Sequence, residues 1–304
     1  MITRAVLLRL GESKRVEGLI RNSAWSSRAA RRFVAGETID EALRAARTLN
    51  GQSMPVTLDY LGESVRAADQ VAAVMEVYHE LFRRIREDGL DANVSLKLTA
   101  LGLDIDPAHC LANMRRLLDA VGADQFVRID MEGSSYTQRT LDLFYTLWNE
   151  NRRNVGVVIQ SYLRRSATDV EGLLSAGARV RLCKGAYNEP PEVAFPEKSQ
   201  VDENYIRLMR RLLVAGVYPG IATHDEKMIA ATRSFACEQK IATDRFEFQM
   251  LYGIRKDIQA KLVSDGYRLR IYTPFGTHWY PYFMRRLAER PANLWFVVKN
   301  VLRG

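Results

Sequence analysis

Cysteine is scarce: Cys110, Cys183 and Cys237 are the only three in 304 residues, odd in number and far apart. That excludes a disulfide framework and fits reduced thiols in a cytoplasmic protein. No apolar run is long enough to span a bilayer. The first residues, MITRAVLLRLGESKR, lack a small-residue cleavage site, so no secretory signal is expected. G-x-G-x-x-G and Walker loops are both absent, which leaves a Rossmann-type or P-loop nucleotide site unsupported. The four histidines (His79, His109, His224 and His278) show no i, i+4 pairing, and the cysteines lack C-x-x-C spacing. No metal is therefore expected. There is no G-x-S-x-G elbow, no low-complexity stretch and no sign of a second domain.

What is present is ordinary for a globular protein in bulk, with 47% hydrophobic and 26% charged residues. The formal charge of +8 could attract nucleic acid, an anionic membrane surface or an acidic cofactor. Much of it sits in helical, Arg-rich stretches such as residues 26–33 and 83–87, which read most simply as solvated faces. Aromatic residues do not interleave with the basic ones as a nucleic-acid platform requires, so no nucleic acid is expected. Peripheral contact with anionic lipid stays open.

Residues 1–54 read as helical, with SSRAARRFVAG and ETIDEALRAARTLNG each closed by glycine. Beyond Pro55 the pattern alternates. Strands are read at 56–60, 93–101, 125–131, 155–162, 179–187, 217–224, 245–251 and 267–276, with helical segments between them. Helices are expected at 64–88, from Pro107 onward, and at 136–150, 167–176 and 200–215. The strand segments are rich in Val, Ile and Leu, as expected of strands covered on both faces. Eight strands each followed by a helix imply parallel pairing through right-handed crossovers. The expected fold is α/β, a (β/α)8 TIM-type barrel over 55–304 with an N-terminal helical extension.

A set of charged and polar groups closes or follows these strands: Lys97, Asp130, Gln160, Arg181 with Lys184, Thr223 with His224, Glu247 with Gln249, and Tyr272. A (β/α)8 barrel gathers its active site from strand ends on the C-terminal face. Taken singly, Lys97 could be a snorkelling lysine and Asp130 a strand-end cap. Arg181 and Lys184 flank Cys183, with Gly185 permitting close backbone approach, a combination suited to phosphate. His224 stands just before a helix whose first N–H groups also favour anions. Arg285 and Arg286 follow the eighth strand; a carboxylate suits the arginine fork, so a small amino or keto acid is a reasonable substrate. Two other readings remain open on these residues: a Schiff-base aldolase using Lys97 or Lys184, and a basic nucleic-acid-binding protein.

Seven segments narrow the choice. VSLKLTAL, VRIDMEGS, VGVVIQSYLRRS, VRLCKGAY, IATHDE, FEFQMLYGIR and RIYTPFG with YFMRRLAE, in that order, resemble the proline dehydrogenases over about residues 56–300. Members oxidise L-proline to Δ1-pyrroline-5-carboxylate with FAD, which they hold at the mouth of a distorted barrel without a Rossmann domain. The chain ends at 304 and looks similar to the bacterial monofunctional members.

The resemblance implies roles for individual residues. Met131 and Gln160 would contact the flavin, and Lys184, Gly185 and Ala186 would line the cofactor. Thr223 and His224 would reach its ribityl and pyrophosphate region. Arg181 would lie beside the isoalloxazine, where a fixed positive charge favours the reduced anion. Lys97, Arg285 and Arg286 would hold the proline carboxylate, Asp130 would pair with that cationic cluster, and Tyr272 and Tyr282 would pack on the ring. A quinone is the implied electron acceptor, which would give the basic surface a role at the inner face of the cell membrane. Two departures from the large bifunctional members stand out. The stretch from Tyr272 to Arg285 looks shorter, and Asn188 follows KGAY where those members tend to carry an aromatic residue.

Overall fold

Apolar and polar residues alternate along the strand segments, and folding turns that alternation into the two faces of a closed wall. The strands are β1 (Val56–Tyr60), β2 (Ala92–Leu96), β3 (Val127–Ile129), β4 (Val155–Gln160), β5 (Val180–Cys183), β6 (Gly220–Ala222), β7 (Glu247–Leu251) and β8 (Leu269–Phe275). They pair in sequence order into a closed barrel. Every pairing is parallel, and β8 closes on β1 from Val56 opposite Ile271 to Tyr60 opposite Phe275. This computed structural model describes residues 30–62, 65–122 and 125–289, together with Ser13 and Gly18.

Eight helices follow in alternation: α2 (Ala68–Glu87), α3 (Pro107–Ala120), α4 (Ser134–Asn149), α5 (Ser166–Ser175), α6 (Lys198–Ala215), α7 (Glu226–Glu238), α8 (Lys256–Ser264) and α9 (Trp279–Glu289). Before them comes α1 (Ile39–Asn50). Boundaries follow local chemistry. Asp106 caps α3, accepting from the Ala108 N–H, and Pro107 fills the first turn where no intrahelical donor is needed. Thr38 and Glu41 form a reciprocal capping box that starts α1.

Apolar strand residues such as Leu58, Leu96, Ile129, Leu182 and Ile271 are buried in the main core with helix residues such as Leu81, Phe82, Leu117, Phe144 and Leu212. Their alternate neighbours are polar and bond to one another inside the barrel. Arg181 on β5, for example, reaches Ser95 on β2 at 3.1 Å. The strands are covered on both faces, as expected: one face packs under helices and the other forms a buried polar lattice.

The ends of the described chain come together over one rim. Ala35 N–H donates to the Pro274 carbonyl, and Gly276 N–H to that of Gly36. A second cluster joins Phe33 and Val34 to Leu61, Ile254 and the α9 residues Trp279, Tyr280, Phe283 and Leu287. Phe283 lies 6.1 Å from Phe33 and 6.0 Å from Trp279, ring to ring. α9 is thereby anchored by one face. Of the helix expected in SSRAARRFVAG, residues 26–29 fall outside the described residues. Only Ala30 of the rest is helical, and 31–33 form a turn that leads into an irregular stretch ending at Gly36.

Candidate active site

A cavity of about 450 Å³ opens at the C-terminal ends of the strands. Lys97, Asp130, Met131, Gln160, Arg181, Lys184, Gly185, Ala186, Thr223, His224, Tyr272, Tyr282, Arg285 and Arg286 all line it. They stand in or just after β2, β3, β4, β5, β6 and β8, four of them at β5 and the loop that follows it, and α9 adds the last three.

Asp130 is the hub. Its Oδ1 accepts from Arg181 Nη1 at 2.8 Å and from Ser95 Oγ at 2.6 Å. Its Oδ2 accepts from Tyr272 Oη at 2.6 Å and lies 3.9 Å from Lys97 Nζ. Burial, followed by the charges of Asp130 and Asp59, pushes the Tyr272 phenol well above its ordinary value, so it stays a donor. The Arg181 guanidinium sits 5.2 Å over the Tyr272 ring. From there the network runs down the barrel axis: Arg181 Nε donates to Gln249 Oε1, and Gln249 Nε2 to Glu247 Oε1 at 2.6 Å. Arg270 Nε donates to the same carboxylate at 2.8 Å.

Lys97 has a second partner that was not singled out from the sequence. Asp59, at 1% exposure, accepts from Lys97 Nζ at 3.2 Å through Oδ1. The signal was there, a carboxylate inside V-T-L-D-Y, two residues after Thr57 and in register with Ser95, which stands two residues before Lys97.

The flanks of the cavity are fixed by backbone contacts. Gln160 Nε2 donates to the Met131 carbonyl at 3.0 Å, tying β4 to the loop after β3. His224 Nε2 accepts from Leu251 N–H at 2.8 Å, leaving Nδ1 to carry the ring proton. Gly185 takes φ +113°, and a Cβ there would fall 2.4 Å from the Tyr162 ring, so only glycine fits. Arg286 is 8% exposed, with its guanidinium 5.0 Å over the Tyr282 ring. Arg285 is half-buried and lines the same cavity.

The proline dehydrogenase family model matches residues 42–299. The chain belongs to the proline dehydrogenase family. It is 44% identical over 305 residues to proline dehydrogenase 2 of Bacillus subtilis (strain 168), covering 100% of both chains. It is 40% identical over 306 residues to the proline dehydrogenase of Deinococcus radiodurans, covering 99% of this chain and 98% of the relative. Among solved structures it resembles proline utilization A (PutA) from Bdellovibrio bacteriovorus inactivated by N-propargylglycine. That match has a TM-score of 0.81 and 30% identity, over 90% of this chain and 34% of that one.

For a chain of the proline dehydrogenase family, three expectations need amendment. Glu247 opens β7 rather than closing it and lies beneath the cavity, paired with Arg270. The N-terminus of α7 is not an open anion niche, because the Asp225 side chain already accepts from Lys227 N–H. Lys184 is held by two carboxylates, Asp202 Oδ1 at 2.5 Å and Asp225 Oδ2 at 2.7 Å. Both candidate Schiff-base lysines thus donate to carboxylates, bonds that an imine-forming amine would have to give up.

Proposed function

We propose that the chain oxidises L-proline to Δ1-pyrroline-5-carboxylate with FAD, passes the electrons to a quinone, and so performs the first step of proline catabolism to glutamate. The observation that carries this reading is the convergence of Lys97, Arg285 and Arg286 with the Asp130–Arg181–Tyr272 cluster on one cavity in a member of this family.

The residues present fit the cofactor. Arg181 Nη2 and Gln160 Oε1 are buried with no hydrogen-bond partner among the described residues, and both residues line the cavity. One spare donor and one spare acceptor suit the carbonyl and N–H edge of a flavin ring, and buried groups of this kind are costly unless a ligand satisfies them. Gly185 lets backbone approach where a side chain would not fit. Met131, Gln160, Arg181, Lys184, Gly185, Ala186, Thr223 and His224 would hold the group.

Bound FAD would supply, at N5, the acceptor for the hydride that leaves the ring carbon beside nitrogen. The protein's own part is binding and orientation. Lys97, Arg285 and Arg286 grip the carboxylate of proline, and the arginines offer bidentate geometry that fixes the plane of approach. Tyr272 and Tyr282 wall the ring. Asp130 holds Arg181 and Tyr272 in place and offsets part of the cost of burying so many cations. Arg181 keeps positive charge where negative charge develops. The substrate amine is neutral when hydride departs, and the protons that its nitrogen sheds go to solvent.

Residues 55–304 would carry this chemistry, with 1–54 as a helical extension. The enzyme would work in the cytoplasm, with its basic surface able to rest on the inner face of the membrane. Among the described residues no helix is long and apolar enough to cross one.

Incubation with L-proline and a soluble quinone tests the proposal. A product two hydrogens lighter than proline, formed with matching loss of quinone, supports it. Unchanged proline in the presence of FAD and quinone overturns it.

A further inference from the structure

A second cavity, of about 440 Å³, lies at the opposite, N-terminal mouth of the barrel. Its wall comes from residues that precede or open strands: Asp91 before β2, Phe126 before β3, Arg179 before β5, Tyr218 before β6, and Arg268 with Arg270 at β8. The charges there do not balance, with three guanidinium groups facing one carboxylate in the lining.

The partners of two of these arginines are accounted for. Arg268 Nη2 donates to Asp91 at 3.0 Å. Arg270 donates to Glu247 and to the Val56 carbonyl, each at 2.8 Å. Arg179 differs. Its Nε is buried with no hydrogen-bond partner, and its guanidinium pairs with no carboxylate among the described residues. Two rings flank it instead, Phe126 at 4.3 Å and Tyr218 at 4.9 Å. Tyr218 holds its position at φ +46°, a left-handed conformation that a bulky residue adopts only under constraint.

A partly buried guanidinium without a carboxylate is costly, and stacking covers its faces while leaving in-plane N–H donors to be satisfied. Burial lowers the Arg179 pKa, Glu247 offsets part of this, and Arg270 and Arg268 lower it further. An anion would relieve the desolvation and the repulsion together. Asp91 and Glu247 answer Arg268 and Arg270, while Arg179 and the buried Arg128 beside it pair with no carboxylate among the described residues. An anion carrying two charges therefore matches the surplus and a singly charged one does not.

We propose that the N-terminal mouth of the barrel binds a multiply charged oxyanion of the phosphate class, with Arg179 as its central donor and Arg268 and Arg270 as flanking charges. The site is distinct from the catalytic cavity and takes no part in proline oxidation.

Calorimetric titration of the flavin-loaded protein with inorganic pyrophosphate tests this, at ionic strength held constant with potassium chloride. Saturable binding is expected, weakened at least about 10-fold by Arg179→Met and by Arg268→Met, each of which removes a charge-assisted donor. Arg268 is a surface residue, so its variant decides the matter if Arg179→Met fails to fold. Three results would overturn the proposal: no saturable binding, binding that chloride alone reproduces, or binding unchanged in both variants. The last would place the anion at the catalytic mouth.

Discussion

Lys97 reaches from just past the end of β2 to Asp59 on β1, with Nζ 3.2 Å from Oδ1 and the two side chains only 9% and 1% exposed. Burial pushes the Asp59 carboxyl up, Lys97 pulls it back, and the nearby Asp130 charge pushes it up again. The pair therefore holds a cation at the barrel mouth against the cost of burying both groups.

Breaking that pair from one side should be worse than removing it whole. Asp59→Ala leaves a buried ammonium short of a partner and is expected to cost about 3 kcal/mol of stability. The double variant Asp59→Ala with Lys97→Met should recover part of that loss. Urea unfolding measures both. A single variant as stable as wild type would show that the pair contributes little.

Arg285→Ala and Arg286→Ala should each weaken proline binding about 100-fold, the worth of a charge-assisted pair of hydrogen bonds, while the flavin stays bound. Titration of the flavin spectrum with proline reads the affinity directly. Normal affinity in both variants would remove the carboxylate clamp from α9.

How far these residues could be read from the sequence depends on which are local. The eight strands and the helix start at Pro107 follow from short-range chemistry and form within the expected segments, but several strands are shorter than the pattern reads. β2 stops at Leu96, where the pattern reads 93–101 as strand, and Leu98–Leu101 form a 3-10 turn instead. V-R-I-D, F-E-F-Q and L-R-I-Y are period-2 patterns, yet they read as apolar runs with a polar end because the inward face of a barrel is usually apolar too. The partner of Asp59 lies 38 residues away, a separation no periodicity reports. Arg285 and Arg286 stand beside each other, and only the packing of Phe283 and Leu287 on Phe33 and Ile254 sets their helix over the cavity.

Arg181→Ala should act on rate more than on proline affinity. The guanidinium is buried among Asp130, Ser95 and Gln249, and its loss would remove a fixed charge from the place proposed for the flavin. Anaerobic stopped-flow reduction is expected to slow by about 100-fold, the usual effect of deleting one preorganised donor. Wild-type reduction kinetics would rule out this role.

Acid should loosen the barrel through Glu247. Burial alone would push its carboxyl up, but the charge and hydrogen bond of Arg270, with the Gln249 amide, outweigh this and hold it down at about 2. A carboxyl depressed in the folded state stabilises the fold above its ordinary value of 4.5, and that contribution drains away as pH falls toward about 2. The gap between wild type and Glu247→Gln should be about 3 kcal/mol at neutral pH and close as pH drops through this window. A gap independent of pH would mean that Glu247 acts by packing rather than by charge.

The most direct test of the central claim is an absorption spectrum of the purified protein before and after anaerobic addition of L-proline. Flavin bands that bleach on addition are the expected result and would establish cofactor and reaction together. A protein that stays colourless and inert after FAD is added, or flavin bands that proline leaves unchanged, would contradict it.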